Sequence, residues 1–359
     1  MKILTSKLIN CLQHFQTIEK EWEELRLQFI NPSMCTSWLW LTTWSENYLC
    51  NQDKLFIHFF YNNKQLVGIT PLYLKKITYG YELRFIATGE KEEEEVCSEF
   101  QDFIINDEYK NEIFNLLNQQ IKNHKKIYSI ALNNILDSSF AQQWWHNFNS
   151  LFFLKYKTNI TKQFILPIKQ TQEKQVLSFK SKNIRRHANK FYSANITCTT
   201  QLRDKQDFEA FYQALINLHN KAWNSKGING CFENNKFVTF HRVFMQKLLE
   251  KNQLILFKLN NENECVAIFY GVIDGNTLHY YQSGININCK LSSVGVAMHV
   301  EAISIAREHK LKFYDLMQGS ISSYKSRYVL GKEEVASSFI THPLALFFQI
   351  LIRLKRKLL

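Results

Sequence analysis

Between Leu254 and Ser283 three runs rich in β-branched and aromatic residues, Leu254–Leu259, Cys265–Ile273 and Thr277–Ser283, are separated only by the polar stretches Asn260–Glu264 and Asp274-Gly275-Asn276. Strand-like runs joined by such turn chemistry read as an antiparallel meander. Residues 294–309 then change the period: Val296, Val300, Ile303 and Ala306 fall at helical spacing. A short apolar strand, Lys312–Leu316, and a helical turn around Ser322–Tyr328 follow. Meander, helix and strand together commit this part of the chain to a mixed α/β arrangement.

The first half repeats that outline without repeating the sequence. Leu55–Tyr61 and Gln65–Leu74 flank Asn62-Asn63-Lys64 and read as a hairpin, with further strands at Leu83–Ala87, Asp102–Ile105, Ile127–Leu132 and Phe152–Tyr156 and helices near 108–123 and 138–148. The run Glu90–Glu95 reads as a solvated loop or helix start. In the second half a strand, Gln163–Ile168, precedes a basic helix, Ser178–Ala194, and long helices at 207–224 and 234–251. A chain of 359 residues exceeds the ~150 that serves as a prior for one domain. The expected division is 1–157, 158–341 and a basic amphipathic tail, 342–359.

Charge separates the halves. Residues 1–160 hold 16 basic and 18 acidic side chains, and 161–359 hold 28 and 14, so the net charges are −2 and +14. A field of the second kind attracts anionic ligands such as phosphorylated cofactors, nucleic acid, acidic carrier proteins or acidic lipid. The eight cysteines never come closer than 15 residues, which excludes Cys-x-x-Cys and zinc-ligand spacing and suits buried thiols in a reducing cytosol. His279, His299 and His309 show no ligand spacing either, so no metal is expected. The N-terminus lacks the apolar core and cleavage site of a signal peptide, and no stretch reaches ~18 apolar residues. The tail, HPLALFFQILIRLKRKLL, ends on Arg353, Lys355, Arg356 and Lys357, as a docked terminal helix or a helix lying on a membrane surface would. The expected location is cytoplasmic, with peripheral contact to the inner membrane through that tail as the alternative.

Three local features could carry chemistry. Leu291-Ser292-Ser293-Val294-Gly295-Val296-Ala297 opens a helix after a strand, where Ser292 or Ser293 can cap and Gly295 lets a ligand approach the backbone, the makings of an anion site. Asp315 closes a short apolar strand, where a carboxylate needs a partner, and is followed by Gly319, Tyr324, Lys325 and Arg327. His219 and Trp223, at i and i+4, share one face of a helix. Each has an ordinary reading beside the functional one: a helix start, a turn cap with a surface cation, and a packed histidine.

In order, NIRRHANK, LHNKAWNSKGINGCF, AIFYGVIDGNTLHYYQSG, SVGVAMHVEAISIA and FYDLMQGSISSYKSRY resemble the CelD-type acyltransferases of the GNAT superfamily, bacterial proteins often linked to polysaccharide pathways. The resemblance is strongest over about 160–335 and extends to the first half through Ser37-Trp38-Leu39 and Thr43-Trp44. It implies two GNAT-like domains in tandem, each a splayed, largely antiparallel mixed sheet flanked by helices, with acetyl-CoA or another acyl-CoA bound in the second. The GNAT pyrophosphate loop falls on Ser292, Ser293, Val294, Gly295, Val296 and Ala297, with Ser292 where the family carries Gln or Arg. The same layout is similar to the Fem peptidyltransferases, tandem GNAT folds that use charged tRNA, in which a lysine matching Lys325 contacts phosphate.

These resemblances imply N-acyl transfer, most simply of acetyl, to a small-molecule or lipid-linked amine by direct attack on the thioester. His219 is the first expected base and Asp315 the second, Tyr324 returns a proton to the thiolate, and Trp223, Gln282, Gly319 and Lys325 are the expected substrate or anion contacts. The first domain, with its acidic run, is expected to bind no CoA and to help form the acceptor cleft. Aminoacyl transfer from tRNA, an acyl carrier protein as donor, and a non-catalytic donor-binding module are the competing readings.

Overall fold

Two compact units divide the chain, the first formed by residues 1–91, 95–161 and those from 333 onward, the second by 92–94 and 162–332. The computed structural model describes residues 4–29, 32–149, 153–169, 182, 184, 186, 198–262, 264–291 and 293–343. Ser292, most of the basic helix at 178–194 and the tail from 344 onward therefore lie outside the described residues. In the first unit β1 (Leu4–Ile9) leads through α1 (Leu12–Gln16), α2 (Glu19–Arg26) and α3 (Trp38–Tyr48) to β2 (Lys54–Asn62), β3 (Gln65–Ile77) and β4 (Gly80–Phe85). Strand β5 (Ile104–Ile105), α4 (Lys110–Asn123), β6 (Ile127–Leu136) and α5 (Phe140–Asn147) follow.

The described sheet of this unit runs β1-β2-β3-β4-β6 and then β13 (Glu334–Thr341), with β5 on β3. Only the β4–β6 pair among these is parallel. Asn63, at φ 55°, makes the β2–β3 turn, a left-handed position that asparagine tolerates. The strands alternate as a two-sided sheet must: Phe59 meets Trp22 of α2, whereas Phe60 joins the opposite core with Trp144 of α5. The strand expected over Asp102–Ile105 is only two residues long. Asp102 leaves the sheet to hold the start of α5, accepting from the Phe140 and Ala141 amides at 3.0 and 2.7 Å.

Strand β13 was assigned by sequence to the second domain. Its register on β6, Phe339 opposite Ala131 and Ile340 opposite Ile130, instead places it in the first unit's sheet. The expected break near residue 157 is also no linker, because β7 runs unbroken from Leu154 to Pro167. The second unit continues from that strand through β8 (Cys198–Gln201), α6 (Phe208–Asn224), α7 (Asn235–Glu250), β9 (Leu254–Asn261), β10 (Glu264–Asp274), β11 (Thr277–Ile285), α8 (Val294–Glu308) and β12 (Phe313–Gly319). Its order is β7-β12-β11-β10-β9-β8, antiparallel except for β11 and β12, whose parallel pairing requires the crossover that α8 supplies.

Helix α8 covers one face with Ala297, Met298 and Ile303 against Phe257, Phe269 and Leu278. The other face carries α7, whose His241 stands between the hydroxyls of Tyr281 and Tyr270 at 2.9 and 3.5 Å. None of the described helices is long and apolar enough to cross a membrane.

Gly284 of β11 sets how closely α6 approaches. A Cβ there would lie 2.6 Å from Leu218 Cβ and 2.9 Å from the His219 amide nitrogen, and the latter is backbone that cannot swing away. Gly284→Ala is therefore expected to lower the stability of the second unit by about 1–3 kcal/mol, as overpacking does. Urea unfolding followed by hydrogen exchange in α6 measures this, and an unchanged midpoint would show that the contact yields.

Candidate active site

The parallel pairing of β11 and β12 covers only Thr277–His279 against Phe313–Asp315. Beyond it the strands part, and a β-bulge between Tyr270 and Gly271 of β10 makes Tyr281 an extra residue on β11. Tyr281 turns toward His241. Tyr280, Gln282, Ser283 and Ile285 line a cleft of 1260 Å³. The first turn of α8 and the segment 324–330 complete it.

One wall is a helix start. Ser293, at the N-cap, has φ 75° and its side chain does not cap the helix, while Val294, Gly295 and Val296 line the cleft. Among the described residues no side chain caps this start, and amides there, with the positive end of the helix dipole, favour a bound anion. A Cβ on Gly295 would meet only Ile285 Cδ1, at 3.2 Å, so the glycine keeps this wall open. Lys226 and Arg327 add positive charge, and no Asp or Glu stands among the described lining residues. Lys226 also sits over the Trp223 ring, 4.7 Å from its centroid.

A second part of the lining is a row of hydroxyls around one imidazole. Tyr280 and Ser283 hydroxyl oxygens are 2.7 Å apart, and Tyr324 is hydrogen-bonded to Tyr280. Burial and the adjacent Tyr280 push Tyr324 well above the usual tyrosine value, so its hydroxyl stays protonated. His299 of α8 lines the cleft, stacks on Tyr324 with centroids 5.9 Å apart, and makes T-shaped contacts with Tyr280 and Tyr328. Burial, with Lys325 nearby, pushes its pKa down to about 3.

The sequence-derived candidates divide between lining and framework. Trp223, Gln282, Ser293, Val294, Gly295, Val296 and Tyr324 come together at the cleft. Ala297 is buried in the core beneath it. His219 is also buried, packed edge-on with Phe232 at 5.1 Å and with Nε2 3.6 Å from Cys231 Sγ. Burial lowers the His219 pKa and pushes the Cys231 thiol up to about 12, so the pair rests as imidazole and thiol rather than as an ion pair. The role of base expected of His219 thus meets a side chain held behind the wall.

Asp315 is likewise occupied. Its carboxylate accepts from the Met317 amide at 2.7 Å and from Gln163 Nε2 at 3.1 Å, holding an irregular stretch of β12 in which Met317 has φ 65°. Lys325 donates to the Gln318 carbonyl at 2.6 Å and runs its stem beside Gly319, where a Cβ would lie 3.2 Å from Lys325 Cδ and 2.9 Å from Ser323 Oγ. These three residues pin the turn at Tyr324–Arg327 to the end of β12. Sequence reasoning missed His299, Tyr280 and Lys226. His299 follows Gly295 by four residues, the one spacing that could have flagged it.

The equivalent parting in the first unit is filled. Strands β4 and β6 pair in parallel as far as Arg84 and Ala131. The chain at 98–101 then crosses the gap: the Phe100 amide donates to the Asn134 carbonyl at 2.8 Å and Gln101 Nε2 to the Ile86 carbonyl at 2.6 Å. Phe100 and Gln101 are buried there. Glu90, expected in a solvated run, accepts from Trp44 Nε1, and burial pushes it up to about 7.

Residues 178–326 match the acetyltransferase (GNAT) domain family. The fold is similar to that of FemX, at 14% identity and a TM-score of 0.62, over 96% of this chain and 99% of that one. It is similar as well to a conserved protein of unknown function from Bacteroides thetaiotaomicron, at 11% identity and TM-score 0.58 over 94% and 100% of the two chains. A third likeness is to the C-terminal DUF2156 domain of a lysylphosphatidylglycerol synthetase-type protein from Agrobacterium fabrum, at 7% identity and TM-score 0.56 over 94% and 95%. The comparison with curated proteins gives no match. The family match falls within the second unit, and the whole chain shares its mixed α/β architecture with these structures.

Four buried histidines make stability pH-dependent. His58 in the first unit is lowered to about 4 by burial, His219 and His241 in the second are lowered by burial, and His299 to about 3. Each binds its proton more weakly folded than unfolded, so its contribution is complete above the unfolded value of ~6.5 and is lost as pH falls through the folded value. Glu90 has the opposite sign: its pKa is raised, and its contribution, present at low pH, is lost as pH rises toward 7. Between pH 7 and pH 5 the second unit should lose stability, while in the first Glu90 and Asp102, both raised to about 7 by burial, oppose His58. Hydrogen exchange of each unit at the two pH values, corrected for intrinsic rates, checks the difference; a second unit equally protected at both would contradict it.

Proposed function

We propose that the second unit transfers an acyl group from acyl-CoA to an amine. The observation that carries this reading is the cleft at the parting of β11 and β12, which combines an open helix start, two cations and a row of hydroxyls without a carboxylate. Its 1260 Å³ exceeds the about 300–1,000 Å³ of sites for drug-sized ligands and suits a long donor with a pyrophosphate at one end and an acyl group at the other. Val294, Gly295 and Val296 amides and Arg327 would hold the pyrophosphate. In the reaction the amine nitrogen bonds to the acyl carbon, the carbon–sulfur bond breaks, and the proton lost by nitrogen ends on sulfur. Alignment in the cleft is the main acceleration. The row Tyr324, Tyr280 and Ser283 offers protonated hydroxyls to the departing sulfur and a path for that proton.

The filled gap in the first unit, with Phe100 and Gln101 lying across it, supports a single donor site per chain. The +14 net charge of residues 161–359 favours one second reading, transfer of an aminoacyl group from tRNA. In calorimetry with acetyl-CoA the expected stoichiometry is one. Gly295→Glu, which puts a carboxylate at the helix start, should abolish binding, and Arg327→Ala should weaken it about tenfold, the loss of one charged hydrogen bond. Unchanged affinity in Gly295→Glu would remove the reading. Binding of tRNA that falls steeply with salt, with no heat from acetyl-CoA, would favour the second.

A further inference from the structure

We propose that His299 is locked as the tautomer protonated on Nε2, and that this N–H is a fixed, uncharged donor to the carbonyl oxygen of the acyl group being transferred; the second part rests on the acyl-transfer reading above. The lock comes from Tyr314. Its side chain is fully buried, and its hydroxyl lies 2.7 Å from His299 Nδ1. If Nδ1 carried the ring proton, the Tyr314 O–H would have no acceptor among the described residues, and a buried donor left unmade costs ~1–3 kcal/mol. With Nδ1 as acceptor both groups are satisfied, and the one proton of a neutral imidazole is left to Nε2.

The surroundings keep the ring neutral and still. Tyr280 of β11, Tyr314 of β12 and the pair Tyr324 and Tyr328 of the turn enclose it, and the charged neighbour is the Lys325 ammonium, which disfavours a second positive charge. No carboxylate is hydrogen-bonded to the ring, and Nε2 has no partner among the described residues although His299 lines the cleft. A residue so hard to protonate is a poor base, since a useful base has its pKa near the working pH. It is a good preorganised donor. His299 lies four residues, about one turn, beyond Gly295 on α8, and its ring reaches the cleft among the hydroxyls of Tyr280 and Tyr324. During transfer negative charge grows on the acyl oxygen and returns as the carbon–sulfur bond breaks; His299 keeps its proton throughout.

The test is ¹⁵N NMR of the whole chain with labelled histidine imidazoles, the His299 signals being those missing from His299→Gln. The expected result is a neutral Nε2–H ring unchanged between pH 5 and 8.5, with the tautomer released in Tyr314→Phe. Acetyl-CoA should shift the Nε2–H proton and free CoA, which lacks the carbonyl, should not. In turnover, His299→Leu should lower kcat by about 10²–10³-fold with acetyl-CoA affinity unchanged, and His299→Gln, which keeps an N–H, should recover about tenfold of that loss. A ring protonated on Nδ1, a ring that titrates in this range, an identical response to acetyl-CoA and CoA, or Gln as poor as Leu would overturn the proposal. Failure of both CoA species to bind would instead remove the acyl-transfer reading and leave the tautomer result standing.

Discussion

Everything at the candidate site depends on where β11 and β12 stop being hydrogen-bonded. Three paired residues hold them together, and the bonds end at His279 and Asp315. A buried parallel pair that simply separates leaves backbone groups without partners, which is costly. The fold avoids that cost on one side by a bulge that re-aims β11 and on the other by Asp315, whose carboxylate takes the Met317 amide. The carboxylate that looked chemically suggestive in sequence is thus what makes the cleft possible. It acts by closing the end of a strand.

The contrast between the units bears on the same point. Both contain a parallel pair that ends early, β4 with β6 and β11 with β12. In the first unit the freed groups are taken up by the chain itself, through the Phe100 amide and Gln101 side chain, and the aromatic core continues beneath. In the second no described segment fills the gap. Among the described residues the two units therefore supply one closed and one open version of the same geometry.

Much of this was legible in the sequence. The meander, the helix from 294, the short strand with its turn, and Gly295 at the helix start follow from period and turn residues, and those parts agree with the structure. Three things were not legible, each for a physical reason. Residues 334–341 fall by sequence within the expected second domain, and only long-range register with β6 shows which sheet they join. Asp102 reads as part of a strand because its helix-start partners lie 38 and 39 residues away. His219 reads equally as a base or as a packed histidine, and only the contacts with Phe232 and Cys231, which no helical period shows, decide for packing.

The distribution of ionisable groups then constrains the chemistry. A carboxylate base in the cleft would cancel the field of Lys226 and Arg327 and weaken hold on an anionic donor. An imidazolium beside the acyl group would have to form within a cage of phenols and next to Lys325, where burial and repulsion both oppose it. What remains is neutral: hydroxyls and one tautomerically fixed imidazole. On the acyl-transfer reading, a site built this way works by holding reactants and accepting developing charge on dipoles.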